Sequence, residues 1–266
     1  MPPTVSREKL RTIRSLASAK IRRRRELCLV EGERALEEAG RAGLLRYLVL
    51  GVGPEGPGAG EGGGPVKADV PVFSLDRGSL DELSGVRSGT GVLGVAQIPP
   101  PGRWEDLPAS QPGLPLLFLD GLQEPGNVGA LIRTAWALGF AGVLLGEGTA
   151  DPFSAKAVRS SAGAVFHLPL FEGMGLSQMD GLLSAGYTLF LAEAGGEDYR
   201  RTRFPARSIL ALGNEARGFS TWITGLGRSI GVPMAPGADS LNVVVAGGII
   251  AAQMTAAPGR GEGEGG

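Results

Sequence analysis

Residues 117–140 read LFLDGLQEPGNVGALIRTAWALGF, and this stretch decides the fold. An apolar run ends at Asp120, a turn rich in Gly and Pro follows, and a helix opens near Val128 with Asn127 as its expected N-cap. Val128, Leu131, Ile132, Ala135 and Trp136 recur at the spacing of one helix face, with Arg133 off that face. A strand that feeds a helix through a polar turn is the unit of a parallel sheet. Such sheets gather ligands outside the C-terminal ends of their strands, which makes Asn127 and Arg133 candidate site residues.

Downstream the same pattern repeats. Strands are expected at 115–119, 142–146, 164–169, 187–192, 208–212 and 230–234, and helices at 128–139, 154–161, 176–185 and 241–255. This alternation predicts an α/β unit with a mostly parallel sheet over 114–257. Residues 208–220, SILALGNEARGFS, run from a strand into a tight polar turn, where Gly213 permits close backbone approach and Glu215 stands at the strand's end. Residues 230–254, IGVPMAPGADSLNVVVAGGIIAAQM, pass from a strand through a six-residue loop into a helix that is apolar nearly all round. Such a helix must be buried, and its Gly247–Gly248 pair suggests close helix packing. Ser240 and Asn242 at its head are polar groups placed for a ligand.

Upstream lies a smaller α/β unit, 1–98. Leu10, Ile13, Ala17 and Ile21 mark a helix over 6–25. Between residues 7 and 25 stand nine Lys and Arg against one acid, ending in Arg22, Arg23, Arg24 and Arg25. Arg is a planar, multi-donor phosphate ligand, so this run is the expected nucleic-acid contact. Residues 1–98 carry a net +3 and residues 99–266 a net −4. Residues 99–113 read as a Pro-rich linker, 53–65 as a flexible Gly-rich loop and 258–266 as a disordered tail.

Composition excludes several chemistries. The 266 residues include one Cys, Cys28, and one His, His167. No internal disulfide and no thiolate or multi-His metal site can be built, and no metal is expected. His167 reads as a structural residue at a strand end. The 45 Gly and 19 Pro approach low complexity, yet 42% of residues are hydrophobic and the net charge is −1, so the chain folds. GVGPEG (51–56) and GAGEGG (58–63) match a dinucleotide fingerprint in letters, but neither opens a helix. No apolar stretch is long enough to span a bilayer, and the first residues lack the apolar core of a signal peptide. A cytoplasmic location is therefore expected, with no membrane partner.

The three segments EPGNVGALIRTAWALGF (124–140), LGNEARGFS (212–220) and VPMAPGADSLNVVVAGGI (232–249) resemble, in order and spacing, the signature motifs of the SpoU (TrmH-like) RNA ribose 2′-O-methyltransferases of the SPOUT superfamily. SAKAVRSSAGAVFHLPL (154–170) is similar to that family as well, and LVEGERALEEAG (29–40) looks like its L30e-like substrate-binding domain. Ala216, Phe219 and Val244 depart from the family pattern. The resemblance implies a C-terminal trefoil knot, S-adenosylmethionine bound within it, and a homodimer packed through the first and last helices of the catalytic domain. It places the cofactor on Leu212, Gly213, Val232, Met234 and Leu241, and the polar active site on Asn127, Arg133, Glu215, Ser240 and Asn242. Arg133 becomes either a perturbed base or a fixed cation beside the developing alkoxide. A guanidinium does not readily give up its proton, which favours the cation. The implied activity is methylation of a ribose 2′-hydroxyl, with 23S rRNA the expected substrate. A tRNA methyltransferase and a non-catalytic ribosome-assembly factor are the alternatives.

Overall fold

The computed structural model describes residues 2–53, 56–57, 69–84, 91–107 and 113–256. Most of the Gly-rich loop expected at 53–65, the centre of the linker expected at 99–113 and the tail at 258–266 lie outside the described residues. The chain forms two compact units. One holds the chain up to Pro100 together with Asp151–His167, and the other Pro101–Ala150 together with the chain from Leu168 on.

The first unit begins with helices α1 (Arg7–Ser15) and α2 (Ala19–Arg25), followed by β1 (Leu27–Glu31), α3 (Glu33–Arg41), β2 (Leu45–Gly53), β3 (Gly56–Pro57), β4 (Val72–Asp76), α4 (Arg77–Leu83) and β5 (Val92–Gln97). β5 lies between β1 and β2, antiparallel to both, while β2 pairs with β4 in parallel and with β3 in the antiparallel sense. Ile13, Leu16, Leu29, Val49, Leu80, Leu93 and Val95 form its core.

The single helix expected over 6–25 is broken. Ser6 caps α1 by accepting from the Lys9 amide, and the helix stops at Leu16. The carbonyls of Leu16 and Ala17 accept from Arg22 Nη1 at 2.7 and 3.0 Å. The same guanidinium meets Asp151 Oδ2 through Nε at 2.9 Å and Nη2 at 2.5 Å. Arg22 is thus a buried structural cation that closes a helix end, and is removed from the expected RNA-contacting run. Arg23, Arg24 and Arg25 are exposed.

Asp151 belongs to a segment that sequence periodicity assigned to the second unit. Here Ser154 caps α6 (Ala155–Ser160), which packs against β1, and Arg159 is ion-paired with buried Glu31. His167 Nε2 lies 2.9 Å from Glu38 Oε2, so His167 does structural duty inside the first unit. The strand expected at 164–169 does not form. Gly163 turns the chain at φ +87°, Ala164–Phe166 is a 3-10 turn, and the strand starts only at Leu170. The apolar run that looked like a buried strand is buried instead as a turn.

The second unit contains β6 (Leu116–Asp120), α5 (Pro125–Ala137), β7 (Gly142–Gly146), β8 (Leu170–Met174), α7 (Leu176–Ser184), β9 (Thr188–Asp198), β10 (Ser208–Gly213), β11 (Arg228–Gly231) and α8 (Val243–Thr255). Its six strands are all parallel, in the order β11-β9-β10-β6-β7-β8. β6 and β7 are buried along their whole length, as central strands covered on both faces must be. The strand order reverses between β6 and β10, where Asp120 and Gly213 are register partners.

α8 is apolar nearly all round, but only part of it is covered. Gly247, Ile250, Ala251 and Met254 are buried, whereas Val245 is 49% exposed. A Cβ on Gly247 would lie 2.7 Å from Leu212 Cδ1 and 3.0 Å from Leu131 Cδ2, so this glycine lets α8 seat on β10 and α5. Gly248 faces open space. Trp136, expected in the apolar stripe of α5, is 36% exposed. Among the described residues no helix is long and apolar enough to cross a membrane, and no group of three or more His, Cys, Asp or Glu side chains is placed to hold a metal ion.

Candidate active site

Helix α5 starts three residues earlier than its sequence suggests. Glu124 is the N-cap and accepts from the Gly126 amide at 2.9 Å, and Pro125 takes the first helical position, where its missing N–H costs nothing. Asn127 therefore sits in the first turn and its side chain is not used as a cap. Its Nδ2 donates to Glu215 Oε1 at 2.9 Å. Two residues that are 88 apart in sequence meet across the point where the strand order reverses, as the parallel-sheet reading expects of a ligand site.

Glu215 rides on a rigid loop. Asn214 and Gly218 exchange two backbone hydrogen bonds of 2.9 Å. Asn214 Oδ1 accepts from the amides of Ala216 and Arg217, and its Nδ2 donates to the Gly121 carbonyl at 2.7 Å. Buried Asp120 accepts from the Ser220 amide and hydroxyl at 2.7 and 2.9 Å, which ties the far end of the loop to β6. A Cβ on Gly213 would fall 2.8 Å from the Gly218 carbonyl carbon and 3.0 Å from the Phe219 amide nitrogen. The loop folds back directly over that glycine.

Beside this loop the middle of β9, the ends of β10 and β11 and the head of α8 line a cavity of about 370 Å³, within the usual range for small-molecule sites. Leu212, Gly213, Val232, Met234 and Leu241, the five residues expected to hold a cofactor, all line it, and so do Glu215 and Ser240. Three expected residues do not. Asn242 is the N-cap of α8, its Oδ1 accepting from the Val244 amide at 2.9 Å. Asn127 reaches the cavity wall through Glu215. Arg133 is exposed on α5 with no hydrogen bond or ion pair to any described residue.

Ala192, Glu193 and Ala194 also line the cavity, and sequence reasoning passed over them. Their strand leaves its ladder here: Ser229 pairs with Leu191, but Ile230 pairs with Glu197. The intervening excursion presses on β11, since a Cβ on Gly231 would lie 2.6 Å from the Glu193 carbonyl oxygen and one on Gly196 would lie 2.5 Å from the Ile230 carbonyl carbon. The glycines at 196 and 231 were the available signal, because Gly in a strand marks a bulge or a close backbone approach. Asn214 and Asp120, which hold the loop, were likewise missed.

A family model of the SpoU rRNA methylases matches residues 115–252. The chain belongs to the SpoU rRNA methylase family. The matched span contains the whole cavity and the Asn127–Glu215 pair, which makes the chain a SPOUT-type α/β methyltransferase with an N-terminal accessory unit. Among its SpoU relatives, the 23S rRNA (guanosine(2553)-2′-O)-methyltransferase RlmP of Bacillus subtilis is 28% identical over 246 residues, 91% of this chain and 94% of that one. The 23S rRNA (adenosine(1067)-2′-O)-methyltransferase of Streptomyces laurentii is 36% identical over 169 residues, 59% of each chain. The crystal structure of an AdoMet-bound rRNA methyltransferase from Sinorhizobium meliloti superposes with a TM-score of 0.77 at 25% identity, covering 94% of both chains.

Proposed function

We propose that this SpoU methylase transfers the methyl group of S-adenosylmethionine to a ribose 2′-hydroxyl of 23S rRNA. The observation that carries the reading is the convergence of seven of the ten expected cofactor and active-site residues, from the segments after β10 and β11 and the head of α8, on one cavity at the switch point of a parallel sheet. The residues fit the cofactor. Gly213 and Gly231 let the 214–219 loop and the β9 bulge pack directly on the ends of β10 and β11, which shapes the cavity wall from main chain, and no Lys, Arg or His among the described residues lines the cavity to repel a sulfonium. The substrate assignment draws on the RlmP relative, which is matched over nearly its full length.

When bound, S-adenosylmethionine supplies an activated methyl group on a cationic sulfur. This chain's residues supply the rest. A 2′-hydroxyl is a weak acid and must pass its proton to solvent water as the new bond forms. Arg133, uncommitted to other described residues, offers a guanidinium to the ribose oxygen or its neighbouring phosphate and stabilises negative charge as it develops. Glu215 fixes the Asn127 amide, leaving the Asn127 Oδ1 to orient the ribose or the Arg133 fork. Ser240 stands at the cavity wall, and Asn242 holds the start of α8 that forms it. In-line transfer requires the ribose oxygen, the methyl and the sulfur to be held in order against this cavity.

The reading extends to the parts around the site. The path of the chain through 212–219, 231–241 and α8 is proposed to be the trefoil knot of the SPOUT fold, and the first unit an L30e-like RNA-binding domain gripping phosphate through Arg23, Arg24 and Arg25. The exposed Trp136, Leu241 and Val245 favour a homodimer packed through α5 and α8. A reducing cytoplasm suits the buried free thiol of Cys28. The test is methyl transfer from labelled cofactor to a 23S rRNA transcript and, separately, to total tRNA. Label in the 23S transcript is expected. Label in tRNA alone would replace the substrate, and label in neither, with cofactor binding intact, would favour a non-catalytic assembly factor.

A further inference from the structure

We infer that Glu193 makes the cavity selective for the positively charged methyl donor over its uncharged product. The inference rests on the cofactor reading above and adds a residue outside the three motifs. Glu193 lines the cavity, and its main chain is pinned there by the bulge in β9, with its carbonyl oxygen against Gly231. It is half-buried and has no hydrogen bond or ion pair to any described residue. Glu215, the other carboxylate of the lining, is already engaged by Asn127. A carboxylate held at the wall of a partly desolvated cavity, without a protein cation to answer it, stabilises a cation inside the cavity more strongly than it would in water. S-Adenosylmethionine carries sulfonium and ammonium charges against one carboxylate. S-Adenosylhomocysteine lacks the sulfonium charge and is neutral overall. The field of Glu193 therefore separates donor from product and helps the product leave.

The test is calorimetric binding of S-adenosylmethionine, S-adenosylhomocysteine and sinefungin, which bears an ammonium at the methylsulfonium position, to the full chain and to Glu193→Gln. Binding is a readout independent of turnover. Glu193→Gln is expected to weaken S-adenosylmethionine and sinefungin about tenfold, which is about 1.4 kcal/mol, and to change S-adenosylhomocysteine less than about threefold. Equal weakening of all three would place Glu193 on a group they share and overturn the charge selectivity, as would no change in any. If the Gln variant does not fold, Glu193→Ala decides with the same three ligands: selective weakening of S-adenosylmethionine and sinefungin supports the inference, and equal or no weakening overturns it. Failure of the parent to bind S-adenosylmethionine at all would instead remove the cofactor reading itself.

Discussion

Asp151→Asn is expected to destabilise the first unit by about 3 kcal/mol. The Arg22 side chain is 7% exposed and that of Asp151 17%. The Asn variant keeps the shape and removes the charge, leaving the guanidinium with the Leu16 and Ala17 carbonyls as its acceptors. Removing one partner of a buried ion pair costs about 3–5 kcal/mol, since the other charge is left buried and unanswered. The residual exposure of Asp151 sets the expectation at the low end. Arg22→Met should cost less than Asp151→Asn, because replacing a buried charge by an apolar chain strands only the partly exposed carboxylate. In the double variant Arg22→Met/Asp151→Asn most of the loss should return. The assay is urea unfolding of the four proteins by circular dichroism, with hydrogen exchange read on peptides covering 16–31 and 151–160. A cost within about 0.5 kcal/mol for Asp151→Asn, the value of a solvated surface pair, would mean that segment 151–167 is not integral to the first unit.

Gly213→Ala should abolish measurable binding of S-adenosylmethionine and lower stability by about 1–3 kcal/mol, because the added methyl meets backbone of Gly218 and Phe219 that cannot yield. Gly248→Ala, with open space at its Cβ, should leave the cofactor untouched, as calorimetry would show. Cys28 should resist Ellman's reagent at pH 8 in the folded chain and react once unfolded. Burial first, and the charge of Asp151 second, push its thiol from 9.0 to about 12, with Arg22 opposing. The stability this proton carries is complete below about pH 9, and as pH rises towards 12 it should fall at about 1.4 kcal/mol per pH unit, as urea midpoints across that range would register.

The sheet was legible because its strands and helices alternate. β7 and α7 fall within a residue of their expected bounds, and the polar turns after β6 and β10 announced where a ligand site would lie. What escaped the sequence has physical causes. Pro125 and Gly126 read as a turn, yet Pro is well suited to the first residue of a helix, so Asn127 was taken for a cap when it is free to bond Glu215. Ala164–Phe166 is a short apolar run, which periodicity cannot assign to strand or turn. Arg22 is identical in letters to the three exposed arginines that follow it, and only the placement of Asp151, 129 residues away, sets it apart. That long-range pairing is also why the first unit, made of two separate pieces of chain, could not be read from a linear pattern. The cavity residues of the three motifs were legible through resemblance, whereas Glu193 sits in an AEAGGE stretch whose one local signal is glycine within a strand.

The cavity and Arg133 are proposed together to methylate a ribose. The measurement that tests it most directly is transfer of labelled methyl from S-adenosylmethionine to 23S rRNA by the parent and by Arg133→Ala, followed by nucleoside analysis of the product and calorimetry of cofactor binding. Label in a 2′-O-methylnucleoside is expected for the parent, with a rate about 10²–10³ lower for Arg133→Ala and cofactor affinity unchanged. Label in a methylated base, or Arg133→Ala transfer within threefold of the parent, would contradict it.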